Sequence, residues 1–333
     1  MTMIPPAFVR TAAGLLAAGQ LIFVPVGPAT GEAARPFGDP SFARQVVETP
    51  DARIAYVETG DPDGRPIVFL HGIPTSSYLW RNVLPGVEAA GRRLIATDLV
   101  GFGASKGSGY GVLEQVAHLE AFVAALDLRE VVLVTHDWGA GIGILLAQRN
   151  PGLVEAFATM EGALPPVYPR PDIESFGPAA PIFARMRHPE SRDRAVLIEN
   201  VWIEKILPDS VVTPLDPKVL AAYRAPFPTP ESRRPILDMT LSLPIGGAPA
   251  EVVSAYEAAA AWWRRTPIPK LVLYATPGRL LPKRLADWAA ENLRNVTTAE
   301  VGPGVHFIQE DSPGGVARAL DAWLGALPAG RAR

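Results

Sequence analysis

The chain has no cysteine among its 333 residues, which excludes a disulfide framework, a thiolate metal site and a cysteine nucleophile. It also lacks any long run of one charge. Its 34 acidic and 31 basic side chains leave a net charge of −3, which argues against a nucleic-acid or anionic-membrane surface. Internal repeats and low-complexity tracts are missing. So is a clean membrane span. The one apolar stretch near the start, FVRTAAGLLAAGQLIFVPVGPATGEA, is interrupted by glycines, Gln20 and Pro25, short of about 20 residues of continuous apolar helix. Residues 1–35 read instead as an apolar leader or extension. As a secretory signal they imply a periplasmic or secreted protein, and otherwise a cytoplasmic one. What remains, 48% hydrophobic and 20% charged with seven tryptophans, is the composition of a folded globular protein. Its length allows one large domain or a domain with an excursion.

From Phe42 onward short β-rich runs alternate with helix-length segments. RIAYVET and PIVFL read as strands, followed by a helix over about Tyr78–Ala90, the strand RLIATD and a helix over about Val112–Leu126. EVVLVTH is apolar almost throughout, as in a parallel strand buried on both faces. A helix over Gly139–Asn150 and the strand VEAFATME complete a βαβ series, which predicts a doubly wound α/β fold. Between Ala163 and Ala250 this rhythm breaks. Sixteen of the 35 prolines fall there, between helical pieces such as Arg192–Leu207. Alternation returns with KLVLYAT, a helix Lys283–Asn292, VTTAEV and an amphipathic C-terminal helix. The economical organisation is one α/β core, residues 36–163 and 251–328, with a helical cap over 164–250. Two independent domains would leave the late strands without partners.

The strand EVVLVTH runs into Asp137-Trp138-Gly139-Ala140-Gly141, an aspartate at the start of a small-residue helix. A nucleophile elbow needs small residues there, so that the chain can turn sharply and hold one side chain above the sheet. The helix N-terminus would stabilise an anion by up to about 1 kcal/mol. On its own, Asp137 serves equally as an N-cap. Two other segments add to it. FLHGIPTSSYLW places a tight loop after a strand, where the backbone N–H groups of Ile73 and Trp138 could converge as an oxyanion hole. GPGVHFIQEDSP places His306 in a loop after the last strand, and Glu161 ends the strand VEAFATME. The order Asp137, Glu161, His306 gives a nucleophile, an acid and a base at strand ends. His71 and His136 are expected to shape loops, His118 to sit in a helix and His188 to be incidental, while Asp98 fixes a turn.

HGIPTSSYLWRNVLP, DLVGFGAS, HDWG, NPGLVEAFATMEG, YRAPFPTPESRRPI, LPIGGAPA, IPKLVLYATPG and GPGVHFIQEDSP together resemble the haloalkane dehalogenases of the α/β-hydrolase superfamily. The resemblance covers about residues 37–327. It implies an α/β-hydrolase fold with a mostly parallel eight-stranded sheet and an inserted helical cap. It also implies Asp137 as nucleophile, His306 as base and, in the branch most resembled, Glu161 as third triad member. Another branch carries its acid after the strand KLVLYAT, where this chain reads TPGRLLP without a carboxylate. An aspartate with a pKa near ~3.9 is ionised at neutral pH and can attack a carbon–halogen bond unaided. The histidine then activates water against the resulting ester. No metal or organic cofactor is implied. The partners are a small apolar halogenated substrate, water and halide, with no nucleic acid, and the protein acts as a monomer or small homo-oligomer.

The leaving halide needs donors, and the Trp138 indole N–H is one. The branch with glutamate adds an asparagine where this chain has Ile73. Trp202, where the family has phenylalanine, is a candidate second donor or an aromatic wall residue. Ile203, Phe227 and Pro244 are expected to line the pocket. Two other readings remain at this point. One is an epoxide hydrolase polarising its substrate with Tyr168, Tyr223 or Tyr256. The other is a hydrolase-fold protein that binds a ligand without turnover.

Overall fold

A computed structural model describes residues 44–328; residues 1–35, read above as a leader, lie outside that range. Strands β1 (Arg44–Glu48), β2 (Ala52–Gly60), β3 (Arg65–Leu70), β4 (Arg92–Thr97), β6 (Val131–His136), β7 (Val154–Met160), β8 (Lys270–Pro277) and β9 (Val296–Gly304) form one sheet in the order β1-β2-β4-β3-β6-β7-β8-β9. A two-residue ninth strand, β5 (Lys106–Gly107), pairs with β2 off that path. From β4 through β3 to β9 every pairing is parallel, and β2 alone runs against the rest, antiparallel to β1, β4 and β5.

The central strands are apolar on both faces because both faces are covered. In β6, Val131 and Leu133 join one apolar layer while Val132 and Val134 join the other; Val68 and Leu70 alternate with Ile67 and Phe69 in β3 in the same way. Helix α1 (Val112–Ala125) packs on α2 (Trp138–Arg149), and α2 on α6 (Ala250–Arg265). Small residues make the last packing possible, since a β-carbon at Gly141 would lie 2.0 Å from the Tyr256 hydroxyl. β3 and β6 are neighbours although the chain leaves β3 on one side and enters β6 on the other. Their carboxyl ends therefore face the crevice at which doubly wound sheets bind ligands.

Between β7 and β8 the chain forms no strand of the sheet. It forms short helices α3 (Ala180–Arg187), α4 (Pro217–Arg224) and α5 (Arg234–Leu241), then α6. The expected helix over Arg192–Leu207 is two π-helical turns, Arg194–Ile198 and Trp202–Ile206, separated by Asn200 at φ 51°. The expected helix over Tyr78–Ala90 is also absent. Two 3-10 turns, Ser77–Trp80 and Leu84–Gly86, stand there, because Pro85 cannot extend a preceding helix and Gly86 disfavours one. After β8, α7 (Lys283–Asn292), α8 (Ile308–Asp311) and α9 (Pro313–Ala326) complete the core.

Candidate active site

Asp137 joins β6 to α2 in a backbone conformation of φ 51° and ψ −124°. Holding an aspartate there costs about 1–3 kcal/mol, which the surrounding packing must offset. Two close approaches require glycine. A β-carbon at Gly139 would lie 2.3 Å from the Leu70 carbonyl oxygen, and one at Gly72 would lie 2.1 Å from Asp137 Oδ1.

The two oxygens of Asp137 have different surroundings. Oδ1 accepts the backbone N–H of Ile73 at 3.0 Å, and the Trp138 backbone N–H favours the charged form of the carboxylate. Oδ2 faces His306 Nε2 at 3.5 Å. Burial disfavours the carboxylate, yet His306 and the Trp138 N–H hold its pKa below the ordinary aspartate value. The oxyanion loop is itself braced. Leu99 N–H donates to His71 Nε2 at 2.9 Å, so the His71 proton sits on Nδ1 and is donated to the Gly72 carbonyl at 2.8 Å. Asp98 accepts the N–H groups of Ser77 and Ala104 at 2.8 and 2.9 Å, pinning the following turns.

Glu161 follows β7 directly and also has positive φ, 45°. It is fully buried. Three successive backbone N–H groups of the loop after β8 saturate it: Arg279 at 3.1 and 3.2 Å, Leu280 at 2.7 Å and Leu281 at 3.0 Å. The segment without an acid of its own thus supplies the donors for an acid elsewhere. Glu161 Oε2 also accepts Nδ1–H of His306 at 3.1 Å.

His306 lies between the two acids. Burial opposes its charged form, but Asp137 and Glu161 outweigh burial and lift its pKa to about 9. Its backbone is gripped on both sides. Its N–H donates to the Ser210 carbonyl at 3.0 Å, and its carbonyl accepts Nε2–H of His136 at 2.8 Å. Burial pushes His136 down to about 3, so that ring remains a neutral donor.

Asp137, Glu161, His306, Ile73 and Trp138 are therefore brought together. Trp202 lies in the second π-helical turn. Its single indole N–H donates to Thr240 Oγ1 at 2.8 Å, so it is engaged within the helical segment rather than free as a donor. The alternative, a wall residue, is compatible with its edge-on packing against Phe183 at 6.0 Å. Ile203 and Phe227 are fully buried, Phe227 edge-on to Phe102 at 5.8 Å, and the Pro244 carbonyl accepts Arg170 N–H at 2.9 Å.

Sequence reasoning missed a buried charge cluster beside the site. Arg81 makes a bidentate pair with Glu310 at 2.6 and 2.7 Å, its guanidinium lies 4.1 Å from the Tyr78 ring centroid, and the Tyr223 hydroxyl donates to Glu310. The cluster joins the turn after the oxyanion loop, the helix after His306 and α4. Arg81 and Glu310 are 229 residues apart, and no spacing rule links them.

A family model described as alpha/beta hydrolase fold matches residues 65–313. A haloalkane dehalogenase of Mesorhizobium japonicum is 40% identical over 278 residues, 82% of this chain and 88% of that relative. Another, from Agrobacterium fabrum, is 40% identical over 299 residues, 89% of this chain and 93% of the relative. The crystal structure of a haloalkane dehalogenase from Bradyrhizobium elkani is similar at a TM-score of 0.81 and 36% identity, over 85% of this chain and 97% of that one. That of a haloalkane dehalogenase from Agrobacterium tumefaciens reaches 0.76 at 39% identity, over 85% and 96%.

Proposed function

The chain belongs to the haloalkane dehalogenases, hydrolases of the alpha/beta fold that act on carbon–halide bonds, and from this we propose which of its residues carry each step. Its activity is the hydrolytic dehalogenation of haloalkanes. In the first step Asp137 Oδ2 attacks the halogen-bearing carbon of a small apolar substrate. The carbon–oxygen bond forms, halide leaves with the bonding pair, and the Trp138 indole N–H meets it. The observation that supports this division is the position of Oδ1, already on the Ile73 N–H at 3.0 Å. It becomes the ester carbonyl oxygen without moving.

In the second step water adds to Asp137 Cγ and gives a proton to His306 Nε2. Negative charge develops on Oδ1, where the Ile73 and Trp138 N–H groups hold it. Glu161 orients the ring and stabilises the imidazolium. The alcohol leaves with Oδ2 and takes the proton back from His306, and the new Asp137 carboxyl group releases its own proton to solvent. Alkylation also neutralises one of the two carboxylates that raise His306 to about 9. The imidazole pKa falls when the ester forms, which turns a resting imidazolium into a base at the step that needs one. We propose residues 164–250 as the cap over this pocket, with Ile203, Phe227 and Pro244 in its apolar lining.

An epoxide hydrolase reading has little support. The Tyr256 hydroxyl donates to the Ala163 carbonyl at 3.0 Å and that of Tyr223 to Glu310, which leaves two of the three tyrosines engaged. The assignment is tested with His306→Phe and 1-bromobutane. One equivalent of bromide and a butyl group on the Asp137 peptide, by mass spectrometry, are expected. Continued multiple turnover, or an adduct on another residue, would sink it.

A further inference from the structure

We infer that Arg279 is a positioning residue for the base, acting through the segment Asp209–Ser210. This rests on the assignment of His306 to ester hydrolysis.

Four contacts close a ring. The Arg279 backbone N–H bonds both oxygens of Glu161, at 3.1 and 3.2 Å. Its guanidinium bonds a second segment, with Nη1 donating to Ser210 Oγ at 2.5 Å and Nη2 to the Asp209 carbonyl at 2.9 Å. The Ser210 carbonyl in turn accepts the N–H groups of His306 and Phe307, at 3.0 and 3.2 Å. His306 Nδ1 returns to Glu161 at 3.1 Å. Acid, arginine, helical segment and base therefore form one closed hydrogen-bonded circuit.

The part that arginine contributes is specific. Ser210 is fully buried, and its carbonyl faces two consecutive N–H groups of the His306 loop. A planar guanidinium reaches two acceptors at once, the Asp209 carbonyl and Ser210 Oγ, which holds in place the residue whose own carbonyl bonds the His306 loop. The Ser210 hydroxyl is oriented in addition by its own bond to the Ile206 carbonyl. Asp311 ties the next residues to the same loop, accepting Val212 N–H at 2.7 Å and Val305 N–H at 3.1 Å. With His136 holding the His306 carbonyl, Arg279 completes the restraint from the opposite side. Without it Ser210 can shift, and Nε2 of His306 loses its aim at the water that must attack Cγ.

The two chemical steps separate this role from simple stability. Alkylation needs Asp137 and not the aim of His306; hydrolysis needs both. Arg279→Met and Arg279→Lys are compared with the wild type on the full chain, using rapid-quench mass spectrometry with 1-bromobutane to follow formation and decay of the Asp137 ester. In Arg279→Met, ester formation is expected to keep its rate while decay slows on the order of tenfold, since small misplacements of a catalytic group carry losses of that size. Lysine, which reaches one of the two acceptors, restores part of the decay rate. Equal slowing of both steps, unchanged decay, or no difference between Lys and Met overturns the proposal. Failure of the underlying assignment is distinct. In that case His306→Phe accumulates no ester, whatever the Arg279 variants do.

Discussion

The tips of β6 and β7 invite comparison, because each strand ends on a buried acid in a backbone conformation that disfavours side chains. Asp137 has φ 51° and Glu161 has φ 45°. Beyond that the two sites diverge. Glu161 is surrounded by three backbone N–H donors and an imidazole, and both its oxygens are engaged. Asp137 accepts the Ile73 N–H on Oδ1 and leaves Oδ2 3.5 Å from His306 Nε2. Two carboxylates of nearly equal intrinsic chemistry thus take different roles. In the proposed assignment the saturated one orients and the unsaturated one reacts. Placement at a strand end decides that an acid is in the site; the count of donors decides what it does there.

The sharpest way to break this comparison is Glu161→Gln. A carboxamide must turn its NH2 group either toward the backbone donors of Arg279, Leu280 and Leu281 or toward His306 Nδ1–H. In both cases a donor meets a donor. Ester hydrolysis should fall by about 10³–10⁴-fold, the loss seen when such an acid is replaced by its amide, while alkylation proceeds. Stopped-flow bromide release should then show one fast equivalent and almost no further turnover. A loss in steady-state turnover below about tenfold would mean that the donors of the loop do not define the role of this acid.

A smaller effect measures what each acid contributes to the base. His306 titrates near 9 because two carboxylates together outweigh its burial. Asp137→Asn removes one of them and leaves the volume nearly unchanged. The His306 pKa should drop well below 9, the usual range for losing one close opposite charge being roughly 1 to 3 pH units. The same change accompanies ester formation. In the wild type, ester hydrolysis should therefore rise with pH through this lowered pKa. Alkylation should stay flat between about pH 6 and 9, because Asp137 is ionised throughout. Imidazole NMR titration of both proteins decides the matter. A His306 resonance still titrating near 9 in Asp137→Asn would assign the whole shift to Glu161.

Much of this was legible in the chain. Apart from the two-residue β5, the strands from β2 onward were read from the chain, and β6 shows why: alternate residues enter both apolar layers, so a continuous apolar string is required. Asp137, Glu161 and His306 were legible because each sits at a strand end, a position that periodicity can locate. Edge strand β1 was missed because RQVVE is mostly exposed and lacks an apolar string. The helix expected over Tyr78–Ala90 failed at Pro85 and Gly86, where local backbone sterics overrode composition. The direction of the Trp202 N–H was out of reach altogether, since it depends on Thr240 lying within 2.8 Å across a tertiary contact. The same holds for the guanidinium of Arg279. Side-chain aim is decided by neighbours distant in sequence.

The smallest expected effect concerns the less saturated tip itself. Ile73 gives its backbone N–H to Asp137 and offers no side-chain donor, and the Trp202 N–H is engaged with Thr240, so the proposed halide site at this tip rests on the Trp138 indole. Ile73→Asn adds an amide donor beside the nucleophile. A hydrogen bond to a charged partner contributes about 1.5–3 kcal/mol, and burying the carboxamide where Ile73 is 1% exposed takes back about 1–3 kcal/mol. The net gain in bromide affinity should then be about thirtyfold at most. Quenching of tryptophan fluorescence by bromide measures it directly. Turnover of 1-chlorobutane relative to 1-bromobutane should rise in parallel, because chloride is the poorer leaving group and gains more from an added donor. If the folded variant binds bromide no more tightly than the wild type, the donor count at the β6 tip does not limit halide binding. The contrast between the two strand tips would then extend to the nucleophile but not to the leaving group.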